Sequence, residues 1–140
     1  MSIHPQPPSG GLDAPPLKIL FLSAELAPIA QVGGLADVAG ALPSALNHLG
    51  QDVRVMLPRY GGLPNDFPLA PVIPSLTVPL RLPHSRVSVH EGRVNGTVPL
   101  YVSDRPQYFS TSVGTASTVL LTTASASSSF AGRLWRLPSG

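Results

Sequence analysis

Gly33 and Gly34 stand side by side in the stretch QVGGLADV, eight and nine residues past a carboxylate, Glu25, and shortly before another, Asp37. Two adjacent glycines let backbone N–H groups approach a ligand with no Cβ in the way. If a helix starts there, its first amides have no partner inside the helix, and the aligned peptide dipoles favour negative charge beside them. A phosphate or the polar edge of a sugar fits such a place. A tight strand-to-helix turn uses the same two glycines for geometry alone, and the pattern does not separate these readings. The three-glycine dinucleotide fingerprint is absent, as is a glycine-rich run ending in Gly-Lys-Ser/Thr. Asp37 in a first helical turn stabilises the dipole without any substrate. Glu25 follows directly on an apolar run, where it suits substrate orientation or a hydrogen bond to the glycine loop. Tyr60 is placed to stack on a sugar or to cap a core. His4, His48 and His90 are each isolated, and the chain has no cysteine, so no metal site is expected.

The elements that must hold these residues are legible on either side of them. Leu17–Leu22 is an apolar run long enough for one buried strand. After a connection broken by Pro28, the larger apolar residues Leu35, Val38, Leu42, Ala45, Leu46 and Leu49 recur at the three-and-four spacing of one helical face. That face is expected to cover the sheet. Pro43 lies inside the segment and bends it without ending it, and Gly50 stops it. Val53–Leu57 follows as a second strand, completing a βαβ unit. From Leu63 to Pro79 the repeated prolines argue against a long regular element. Short extended pieces are expected at Thr77–Leu82, Val87–Glu91 and Val98–Val102, with Asn95-Gly96 as a hairpin turn.

With 140 residues, one domain with a real core is possible, but not two of ordinary size. Nine basic and seven acidic residues leave a net charge of +2 with no basic block, which argues against nucleic acid. Arg54, Arg59, Arg81, Arg86, Arg93 and Arg105 are spread singly and read mostly as solvated strand ends and loops. No apolar span is long enough to cross a membrane, and the start lacks the order of a secretory signal, so a cytoplasmic location is expected. Residues 1–16, with five prolines and two glycines, form a disordered lead-in.

The ordered elements resemble the opening of the bacterial glycogen synthases and plant starch synthases. That family begins with a strand, then Ser-x-Glu, then Lys-x-Gly-Gly-Leu-x-Asp-Val, then a helix with Ala-Leu-Pro, then a strand ending near Pro-x-Tyr. The matching residues are Ser23 and Glu25, Gln31 to Val38, Ala41 to Pro43, and Pro58 to Tyr60. A second patch, Leu100–Val102 followed by Asp104 to Phe109, is similar to the family's strand ending in Asp-x-Pro-x-x-Phe. The resemblance implies an α/β fold: a partial Rossmann-like domain, the N-terminal half of a two-domain GT-B glycosyltransferase. It also implies transfer of glucose from ADP-glucose to the non-reducing end of an α-1,4-glucan, with retention and with no metal, cofactor or covalent protein nucleophile. On that resemblance Gln31, Gly33 and Gly34 are substrate-binding positions and Asp37 is the catalytic position beside donor and acceptor glucose.

Two departures stand out. The family's lysine, similar to a charge clamp on the donor phosphates, is Gln31 here, which can donate a hydrogen bond but carries no charge. After Phe109 the resemblance ends; fourteen of the twenty residues from Thr111 to Phe130 are Ser, Thr or Ala. The expected organisation is therefore a lead-in at 1–16, a partial catalytic domain at 17–110 and a mobile, divergent tail at 111–140. Truncation or a change of reading frame is the simplest account of that tail, with a natural linker as the alternative. Trp135 between Arg133 and Arg136 does not amount to a recognition module. By themselves these residues are expected to lack transferase activity; the other reading is a non-catalytic α/β unit with weak or no glucan binding.

Overall fold

The computed structural model describes residues 15–61, 63–64, 67–78, 85–105 and 132–137. Its elements run β1 (Lys18–Leu22), α1 (Gly34–His48), β2 (Asp52–Pro58), β3 (Ala70–Val78), β4 (Ser85–Val94) and β5 (Val98–Asp104). They form one five-stranded sheet in the order β1-β2-β5-β4-β3. β1 pairs parallel with β2, and β2 with β5. β4 runs antiparallel to both β5 and β3. The chain thus makes the expected βαβ unit and adds an antiparallel flap beyond β5.

The central strands β2 and β5 carry the core. Val55, Leu57, Leu100 and Val102 are fully buried and, with Leu26 and Ala39, belong to the cluster beneath α1. Each such side chain contributes about 1.5–3 kcal/mol on leaving water. β4 and β5 are joined at Asn95-Gly96, both with positive φ, and Thr97 N–H closes the turn on the Val94 carbonyl at 3.2 Å. This is the hairpin that the Asn-Gly pair predicts.

The helix forms as one element through Pro43 and ends at Leu49, with Gly50 in the left-handed region at φ +82°. The face it turns to the sheet is not the expected one. Ala36, Ala39, Gly40 and Pro43 are buried, whereas Leu35, Val38 and Leu42 are 53%, 54% and 41% exposed. The reason is distance. A Cβ on Gly40 would lie 3.0 Å from the Ala27 carbonyl oxygen, so the helix rests on the β1–α1 connection through small residues. The larger apolar stripe faces away from the sheet.

The proline-rich stretch also differs from expectation, because Ala70–Val78 is a nine-residue strand. It lies at the sheet edge, where a missing N–H is tolerated, and its register with β4 shifts between Pro71 and Ile73 and again between Ile73 and Leu76. Of the piece expected at Thr77–Leu82, residues 79–82 lie outside the described residues, as do 106–131.

The second sheet face has its own cluster, in which Val89, Tyr101 and Leu134 are fully buried. Leu134 comes from the turn at 132–137, so this part of the tail is packed against the sheet rather than loose. Arg54 explains why. It is 3% exposed, not a solvated strand end, and its guanidinium donates to the Leu134 carbonyl and, at 3.1 Å, to the Tyr101 hydroxyl. The Trp135 ring lies 4.4 Å from the guanidinium carbon. A buried cation held by carbonyls and an aromatic face anchors the turn.

Candidate functional site

The glycine loop lies where the chain leaves the carboxyl end of β1 and enters α1, the position at which open α/β sheets bind ligands. Its approach is held from behind. Ser23, 6% exposed, donates through Oγ to the Glu25 carbonyl at 2.6 Å and accepts the Glu25 N–H at 3.3 Å. Leu26 and Ala30 exchange backbone hydrogen bonds of 2.8 Å, closing the connection around Pro28. Ala27 N–H donates to the Ala36 carbonyl at 3.0 Å, which ties that connection to the helix start.

Gly33 is the residue before the helix, with extended φ −147° and ψ −167°, and no side chain caps the helix. Neither it nor Gly34 has a positive φ, and a Cβ added to either would meet nothing within 4 Å. Backbone geometry and packing therefore leave both positions open to a side chain. A glycine needed for a tight turn would show a left-handed φ or a close neighbour, as Gly50 and Gly40 do. Neither mark is present at Gly33 or Gly34. What the pair provides is open space over the first amides of α1.

Glu25 holds the loop just ahead of the helix. Its Oε2 accepts N–H bonds from Gly33 at 2.9 Å and from Val32 at 3.3 Å. Gln31 and Asp37 also meet: Gln31 Nε2 donates to Asp37 Oδ1 at 3.3 Å, and both side chains are exposed. Gln31, Gly33, Gly34 and Asp37 thus sit together at one loop, to which Glu25 is hydrogen-bonded. The loop carries two carboxylates, and among the described residues neither is ion-paired to a lysine or arginine.

Tyr60 is 2% exposed and donates its hydroxyl to the Ala24 carbonyl at 2.8 Å, so it closes the core behind the loop and offers no stacking face. Burial, reinforced by the Glu25 charge, pushes its hydroxyl pKa up to about 12. His48 is exposed at the far end of α1, with Nδ1 2.7 Å from the Ser44 carbonyl. His90 lies in mid-β4, half-buried, its Nδ1 without a hydrogen-bond partner among the described residues. Neither histidine touches the loop. No group of three or more His, Cys, Asp or Glu among the described residues could hold a metal. No described helix is long and apolar enough to cross a membrane.

Comparison with known proteins decides the family. The profile described as the starch synthase catalytic domain matches residues 18–123, which includes the whole loop and sheet. The chain belongs to the starch synthase catalytic domain family. The match runs past Phe109, where the resemblance read from the motifs stops. Within the family, the glycogen synthase 1 of Methylococcus capsulatus (strain Bath) is 43% identical over 94 residues, 66% of this chain and 18% of that protein. The glycogen synthase of Anoxybacillus flavithermus is 60% identical over 48 residues, 34% of this chain and 10% of that protein. Among solved structures, the catalytic domain of starch synthase IV from Arabidopsis thaliana bound to ADP and acarbose superposes with a TM-score of 0.60. It is 28% identical and the match covers 68% of this chain and 20% of that one. The mixed sheet with its parallel βαβ start is accordingly a partial Rossmann-like unit of the GT-B catalytic fold. The chain spans about a fifth of the length of the curated relatives it matches.

The contact of Arg54 with Trp135 escaped the sequence, since the two are 81 positions apart and no local pattern pairs them. A hydrogen bond between Glu25 and the glycine loop was one of the two roles its position suggested, and the loop's path shows that Val32 and Gly33 are the donors.

Proposed function

We propose that this chain forms the glycine-loop side of the donor site of a retaining glucosyltransferase. In this reading the donor is ADP-glucose and the acceptor is the non-reducing end of an α-1,4-glucan, with a cytoplasmic location. The observation that carries it is the open space above Gly33 and Gly34, which neither φ nor packing demands, at the carboxyl end of the parallel strands. The relative from Arabidopsis, solved with ADP and acarbose, supplies the ligand class.

The chemistry follows from the residues at the loop. The acceptor 4-hydroxyl attacks the anomeric carbon as the ADP phosphate departs on the same face, and the leaving phosphate takes both the bonding electron pair and the proton of that hydroxyl. Charge developing on that phosphate needs donors already in place. The first amides of α1 are such donors, with Gln31 adding a neutral one. Asp37, exposed beside them, accepts a sugar hydroxyl and so fixes the glucose against the loop. The remainder of the site, on the other side of the donor, must supply the cations that Gln31 does not, because the loop itself has two carboxylates.

Titration of the ¹⁵N-labelled chain with ADP-glucose tests the binding half of this reading. Amide shifts concentrated at Gly33, Gly34 and Leu35 are expected, together with glucosyl transfer to glycogen at the background rate, since one side of a site cannot preorganise a diphosphate. Shifts scattered over the sheet, or none, would sink the reading in favour of a non-catalytic unit.

A further inference from the structure

We infer that Glu25 is a positioning residue that locks the glycine loop into its receptive shape, an assignment that rests on the donor-site reading above. The inference comes from what holds the carboxylate and what the carboxylate holds. In front, Oε2 accepts from two consecutive amides, Val32 at 3.3 Å and Gly33 at 2.9 Å. Charge-assisted bonds of this kind are about twice as strong as neutral ones. Behind, the backbone on which Glu25 sits is fixed at three points. Ser23 Oγ bonds both the Glu25 carbonyl at 2.6 Å and its N–H at 3.3 Å, and the Tyr60 hydroxyl bonds the Ala24 carbonyl at 2.8 Å. Ser23 and Tyr60 are both buried. The segment after β1, the exit of β2 and the loop ahead of α1 are therefore linked through the side chains of Ser23, Tyr60 and Glu25.

The loop needs such a link. Glycines at 33 and 34 leave its backbone with the largest conformational freedom of any residue, and neither contributes packing of its own. Without an anchor the backbone at Val32 and Gly33, which leads into the first turn, would sample many directions, and a donor would have to freeze it on binding. Glu25 removes that freedom beforehand, and with it in place a Cβ on either glycine still meets nothing within 4 Å. A carboxylate on loop amides also admits the opposite role, a stand-in anion that a phosphate must displace. The rigid support behind Glu25 speaks for the anchor, since it fixes the point from which the carboxylate reaches both amides.

The two roles give opposite results in the full 140-residue chain. Glu25→Ala is expected to speed hydrogen exchange at Val32 and Gly33 by roughly tenfold or more, with exchange in β2 and β5 unchanged. It is also expected to weaken ADP-glucose binding, read from shifts at Gly34 and Leu35, by roughly tenfold. Glu25→Gln keeps an oxygen for the two amides and should restore both, binding at least as tightly as the unsubstituted chain. Should Glu25→Ala lose the protection of β2 and β5 as well, Glu25→Asp poses the same question with the charge kept and the reach shortened. Tighter binding by Glu25→Ala would overturn the anchor in favour of the stand-in, and unchanged exchange at Val32 and Gly33 would overturn it outright. If the unsubstituted chain shows no shift with ADP-glucose, the donor-site reading fails, and the exchange rates alone still decide whether Glu25 holds the loop.

Discussion

Replacing Gly34 by alanine separates a glycine kept for a ligand from one kept for the fold. Gly34 opens α1, its φ is not positive, and an added Cβ meets nothing within 4 Å. Alanine there forfeits no contact and loses less chain entropy on folding, a gain of about 0.4–1 kcal/mol. For a chain of this size that raises Tm by roughly 2–4 °C. The same methyl projects into the open space where a donor would lie, so ADP-glucose affinity should fall by about tenfold, the equivalent of one charge-assisted hydrogen bond. Gly40→Ala is the control in the opposite sense. Its Cβ would stand 3.0 Å from the Ala27 carbonyl oxygen and 3.6 Å from the Ala27 Cβ. A helix-propensity gain of about 1 kcal/mol then meets an overpacking cost of about 1–3 kcal/mol, leaving the protein less stable by roughly 1 kcal/mol. Thermal unfolding of the three forms, followed by circular dichroism with and without ADP-glucose, reads both effects. A Gly34→Ala chain less stable than the original by more than about 1 kcal/mol would refute the reasoning, because the glycine would then serve the backbone.

Gln31→Lys places a cation beside Asp37 and the loop amides; ADP-glucose affinity measured by calorimetry should rise about tenfold, and equal affinities would mean that position 31 does not meet the phosphates. Because Tyr60 ionises near pH 12 in the fold against 10 when unfolded, the unfolded chain loses its proton first as pH rises. Stability should therefore be complete below pH 10 and fall by roughly 2 kcal/mol between pH 10 and 12, and Tyr60→Phe should flatten that slope in denaturant titrations at each pH. Arg54→Met leaves the buried Leu134 carbonyl and Tyr101 hydroxyl without their donor. A loss of about 2–4 kcal/mol is expected, and the emission of Trp135, the chain's single tryptophan, should move to the red as the turn comes away from the sheet.

Much of the fold is written in short-range pattern. The apolar runs Leu17–Leu22 and Val53–Leu57, the helix between them with Gly50 at its end, and the Asn95-Gly96 turn all rest on local rules, because each depends on residues a few positions apart. The loop itself was equally legible. Gln31, Gly33, Gly34 and Asp37 lie within seven positions, and once a strand precedes and a helix follows, they are bound to share one place. The proline-rich strand was missed for a reason that is not local: Pro71 and Pro74 are admissible only because β3 is at the edge.

By itself, then, the sequence determined the βαβ start, the position of the glycine loop on it and the family to which these belong. Only the tertiary structure decided which face of α1 meets the sheet. Periodicity marks an apolar stripe but not its neighbour, and here the close approach at Gly40 selects small residues, turning Leu35, Val38 and Leu42 outward. Only the structure, too, showed the backbone angles and the open surroundings of the glycine pair, since φ and the distance to neighbours are not properties of residue type. The placing of Trp135 and Leu134 on Arg54 belongs to the same class. A buried guanidinium needs partners wherever the chain can bring them, and nothing in the local pattern around residue 54 names residues some eighty positions away.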